Sequence, residues 1–77
     1  MSRFEVHVCW GSTQARSDAI GTLARRYPEV EVLDVELRDD GAERWTCGAP
    51  NITHLHRWIR EQEVDAAVFA VSPGCNG

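Results

Sequence analysis

Phe4, Val6 and Val8 alternate with Glu5, His7 and Cys9, the period-two pattern of a strand with one buried face. Trp10 and Gly11 end that strand. Ser12 or Thr13 then caps a helix on which Ala15, Ala19, Ile20, Leu23, Ala24 and Tyr27 recur at three- and four-residue steps, until Pro28 stops it. Residues 30–37 are rich in β-branched and apolar side chains and read as a second strand. Asp39-Asp40-Gly41 supplies a turn, and residues 42–47 return as a short third strand. Gly48-Ala49-Pro50 breaks the chain. Asn51 caps a second helix whose Ile52, Leu55, Trp58, Ile59 and Gln62 line one face opposite a charged one. Residues 64–71 form a last strand, closed by Ser72-Pro73-Gly74, with residues 75–77 as a loose tail.

The order β-α-β-β-α-β predicts one α+β domain over residues 1–77 with the ferredoxin-like plan, a four-stranded sheet carrying both helices on one side. The alternative drops the third strand and leaves a small α/β unit, a three-stranded parallel sheet like a fragment of a flavodoxin-like fold. The last strand keeps that alternative open. Ala66, Val68 and Ala70 on one face and Ala67, Phe69 and Val71 on the other are all apolar, which calls for helices on both sides or for a partner over the second face.

At 77 residues a single core supplies little net stability, so self-association is expected to support the fold. Three cysteines cannot pair completely, and the first residues show neither the basic start nor the apolar run of a signal peptide. The longest apolar run, residues 66–71, is far short of the roughly 20 residues of a membrane span. A cytoplasmic location follows as the expectation. All eight basic residues are arginine, a bias that suggests a high-GC genome and, with the small size, a phage or mobile element. A net charge of −4 works against general attraction to nucleic acid or anionic membranes.

The stretch richest in chemistry is residues 8–17, where Cys9 and Gly11 lie between the first strand and the first helix. Backbone N–H groups at Gly11, Ser12 and Thr13 would be available to an anion, and the helix dipole lowers the pKa of a nearby thiol. Here the sequence resembles the phosphate loop of low-molecular-weight tyrosine phosphatases and arsenate reductases, in which Cys, five residues, Arg and Ser follow the first strand. A looser similarity links it to the cysteine loop of phosphotransferase-system IIB proteins. The resemblance covers about ten residues and implies a Cys9 nucleophile with Arg16 as charge stabiliser. It departs at the spacing, since six residues separate Cys9 from Arg16, at Ser12 where that family has asparagine, and in lacking an Asp-Pro general acid. The plainer reading is an ordinary strand-to-helix turn with a buried, inert cysteine.

Cys9, Cys47 and Cys75 with His7, His54 and His56 offer donors suited to zinc, although no Cys-x-x-Cys pair is present. With the two central strands taken as parallel, Cys9 and Cys47 meet near His54 at the start of the second helix; in the parallel-sheet alternative Cys9 approaches Cys75. Trp58 reads as core, while Trp10 in a loop and Trp45 on a hairpin strand, together with Phe69, are the expected contact residues. The favoured expectation is a non-catalytic interaction domain that pairs with itself or binds another protein through the sheet face or a strand edge. The rival is a small thiol or anion-handling enzyme built on Cys9 and Arg16.

Overall fold

The computed structural model describes residues 2–71. The turn at residues 72–74, Cys75 and the expected tail over residues 75–77 lie outside the described residues. Four strands and two helices follow one another as β1 (Ser2–Cys9), α1 (Thr13–Arg26), β2 (Glu31–Leu37), β3 (Glu43–Ala49), α2 (Ile52–Gln62) and β4 (Asp65–Ala70). The domain is α+β, and its sheet runs β2-β3-β1-β4 with every neighbouring pair antiparallel. The parallel three-stranded alternative is therefore corrected, because the hairpin closes and inserts β3 between β1 and β2. Gly41, at φ 88°, makes the turn that a side chain would strain, and Asp40 Oδ1 accepts the Ala42 N–H at 3.0 Å.

β3 runs two residues beyond its expected end. Gly48 faces Arg3 on one side and Glu31 on the other, and two flanking strands hold a residue that on sequence alone breaks a strand. Both helices start where expected. Ser12 Oγ accepts the Ala15 N–H at 3.1 Å, and Asn51 Oδ1 accepts the Thr53 N–H at 3.0 Å. α2 ends on Glu63 in the left-handed region at φ 54°, a position usually left to glycine.

The core lies between the helices and one face of the sheet. Phe4, Val6 and Val8 of β1 and Trp45, Cys47 and Ala49 of β3 pack against Ala19 and Leu23 of α1, Tyr27 at its C-cap, and Leu55, Trp58 and Ile59 of α2. Trp58 is fully buried and donates its indole N–H to the Ala19 carbonyl at 2.8 Å, which ties the two helices together. Val68 and Ala66 of β4 lean on the same core, half-buried.

α1 buries a narrower stripe than its sequence suggests. Ala19 faces α2, and at roughly 100° per residue Ile20 and Ala24 fall on the opposite flank, where both are exposed. The helix layer thus covers β1, β3 and β4 and stops short of β2. All seven residues of β2 are exposed.

Candidate interaction surface

Glu43 organises the end of the molecule that the sequence singled out. Its Oε1 accepts the indole N–H of Trp10 at 2.7 Å and of Trp45 at 3.0 Å, and Arg16 Nε donates to both carboxylate oxygens at 3.0 and 3.2 Å. The rings of Trp10, Trp45 and Trp58 pack with centroids 5.6 to 6.0 Å apart, and the Arg16 guanidinium lies 5.8 Å over Trp45. Burial alone pushes the Glu43 carboxyl up; the hydrogen bonds from Trp45, Arg16 and Trp10 outweigh it and hold the pKa below its ordinary 4.5. This corrects the expectation that Trp10 and Trp45 are contact residues, since both are buried and spend their polar atoms on Glu43. In so small a domain, large rings fill the gap between helix and sheet that a larger core fills with more residues.

The same network separates Cys9 from Arg16, the two side chains that the phosphate-loop resemblance would bring together. Strand alternation places Cys9 with Glu5 and His7 on the helix-free face, opposite Asp65, where it is exposed rather than buried as the plainer reading of the turn expects. Arg16 is paired with Glu43, which lies opposite Val8 on the helix side. Thiol and guanidinium are on different faces of the sheet, and the Ser12 side chain closes one of the helix's own N–H groups. Gly11, at φ 81°, turns the chain from strand to helix, and Gly11, Ser12 and Thr13 are all exposed.

The zinc set of Cys9, Cys47 and His54 is not brought together. The central strands are antiparallel rather than parallel, so Cys47 lies opposite Phe4, roughly 17 Å along the strand from Cys9 and on the other face. Cys47 is buried, which pushes its thiol up to about 11. His54 sits in the first turn of α2 with its ring 6.2 Å from Tyr27. Among the described residues no group of three or more His, Cys, Asp or Glu is placed to hold a metal.

The helix-free face is polar and largely satisfied by itself. Arg38 Nη1 donates to His7 Nδ1 at 2.9 Å, so the imidazole carries its proton on Nε2 and donates it to Glu5 at 3.1 Å. Arg44 pairs with Glu36 across β3 and β2. Phe69, half-exposed, rests edge-on against His7 at 5.0 Å. It is the only large apolar side chain of β4 on this face among the described residues, because Ala67 flanks it and Val71 follows the strand.

The larger apolar surface is on β2, and sequence reading missed it. Val32, Val35 and Leu37 lie opposite Cys47, Trp45 and Glu43, so they form the helix-side row, yet no helix lies over them and Leu37 is 76% exposed. Glu31, Asp34 and Glu36 form the other row, opposite Gly48, Thr46 and Arg44, with Leu33 in a bulge between them. Ile20, on the flank of α1, is 39% exposed. One long edge of β2 is unpaired. The apolar/acidic alternation was present in the sequence, broken by the bulge at Leu33; that α1 leaves this strand uncovered was not.

Compared with known proteins, the chain matches no family model, no curated protein and no solved structure. Among the described residues no helix is long and apolar enough to cross a membrane.

Proposed function

We propose that this chain is a ferredoxin-like βαββαβ sandwich serving as a non-catalytic protein-interaction domain, and that it takes an extended segment of another protein along β2 as a fifth strand. The ferredoxin-like plan is supported by the strand order β2-β3-β1-β4 with both helices contributing to one core. The observation that carries the functional reading is a seven-residue edge strand exposed along its whole length that keeps Val32, Val35 and Leu37 in water. An unpaired edge supplies backbone donors and acceptors to an incoming strand, and the apolar row supplies area to bury. Natural edges that serve only to terminate a sheet are short or carry prolines, bulges, charged side chains or inward-pointing charges. β2 has a bulge at Leu33 and acids on its helix-free row, but its helix-side row carries neither a proline nor a charge.

The test is selection of a random peptide library on the intact protein, counter-screened on the double variant Val35→Glu/Leu37→Glu. The reading expects binders that lose the double variant and retain Phe69→Glu. Binders indifferent to the β2 change would overturn it.

A further inference from the structure

Resting on that reading, we infer the chemistry of the partner: an extended protein segment that alternates basic with apolar residues, and not a second copy of this chain. Residues 29–40 hold six acids, Glu29, Glu31, Asp34, Glu36, Asp39 and Asp40, against one base, Arg38, so half of the chain's twelve acids flank one exposed edge. Among the described residues Glu31 and Asp34 form no ion pair, whereas Glu36 is matched by Arg44 and Asp40 by Arg38. A strand added to β2 places its side chains alternately over the two rows. One set meets Val32, Val35 and Leu37, and the other meets Glu31, Asp34 and Glu36.

A second copy is the poorer match wherever it overlaps the whole of β2, because only a pair shifted toward Leu37 brings Arg38 opposite an acid. A two-fold antiparallel pair centred on Val35 sets Asp34 opposite Glu36 of the other copy, twice, and like charges directly opposite are unfavourable. A basic strand reverses each of those terms. It also approaches faster through the field of the acidic edge, and that part of its binding weakens with salt. Nucleic acid is repelled by the same acids.

The probes are three synthetic peptides of about nine residues: one alternating Lys and Val, one alternating Glu and Val, and one with the Lys/Val composition rearranged into a lysine block and a valine block. Binding to the intact, isotope-labelled protein is followed by amide NMR shifts. The alternating Lys/Val peptide is expected to shift β2 amides, to bind more weakly as salt rises, and to lose roughly two- to five-fold per acid neutralised in Glu31→Gln and Asp34→Asn. Equal or tighter β2 binding by the Glu/Val or the block peptide overturns the partner chemistry while leaving β2 as the contact surface. Concentration-dependent β2 shifts of the protein alone, with a dimer in sedimentation, overturn it in favour of a second copy. If none of the peptides shifts β2, the inference is likewise overturned, and the library selection separately decides whether β2 is a contact surface at all.

Discussion

Glu43 Oε1 lies 2.7 Å from the indole nitrogen of Trp10, and that one hydrogen bond joins the β1–α1 connection to the start of β3. The same carboxylate holds Trp45 and Arg16, so α1 is fastened to the sheet through a part-buried acid rather than through apolar contact alone. Glu43→Leu leaves the Trp45 N–H, in a side chain only 2% exposed, without an acceptor. The expected cost is about 1–3 kcal/mol, a large share of a small domain's stability, read from the urea midpoint.

Acid should weaken the fold through this carboxylate. Its folded pKa is lower than the ordinary 4.5, so between the two values the unfolded chain binds more protons than the folded one. The stabilisation is complete above the ordinary value and is lost as pH falls through it toward the folded value. Urea midpoints between about pH 7 and pH 3 are expected to fall more steeply in the wild type than in Glu43→Gln, which has no charge to lose. Parallel slopes would remove Glu43 as the source.

Trp58→Phe removes the 2.8 Å bond to the Ala19 carbonyl and opens space where the helices meet. A loss of about 2–3 kcal/mol is expected, and Trp58→Ala, at about 3–5 kcal/mol, should leave little folded protein by circular dichroism.

Glu63 holds a left-handed backbone conformation that costs a side-chain-bearing residue about 1 kcal/mol or more. Glu63→Gly is expected to raise stability by about 0.5–1 kcal/mol after the entropy of the freer unfolded chain is subtracted, or several degrees in thermal midpoint.

The helices and their caps were legible because they depend on neighbours in sequence. Ser12, Pro28 and Asn51 act within a few residues of where they stand. β3 was undercut at Gly48 because a glycine's cost is offset by strands on both sides, which no local pattern records. The Cys9–Arg16 reading failed on a fact the alternation already contained: Cys9 shares a face with Glu5 and His7, away from the helix layer. The zinc set failed because it needed the central strands to be parallel, while β1 and β3 are antiparallel. The burial of Trp10 and Trp45 was hidden because it depends on Glu43, a charged residue whose place over the core no periodicity announces. Where α1 lands above the sheet, and so the exposure of β2, is a tertiary outcome.

The central claim, that β2 is the contact surface for another chain, is tested most directly by mapping library-selected peptides on the intact protein by amide NMR. The account predicts shifts concentrated on residues 31–37 and neighbouring β3 amides, with binding lost in Val35→Glu/Leu37→Glu and kept in Phe69→Glu. Shifts centred on Phe69 and His7, with binding lost in Phe69→Glu and intact in the β2 variant, would contradict it.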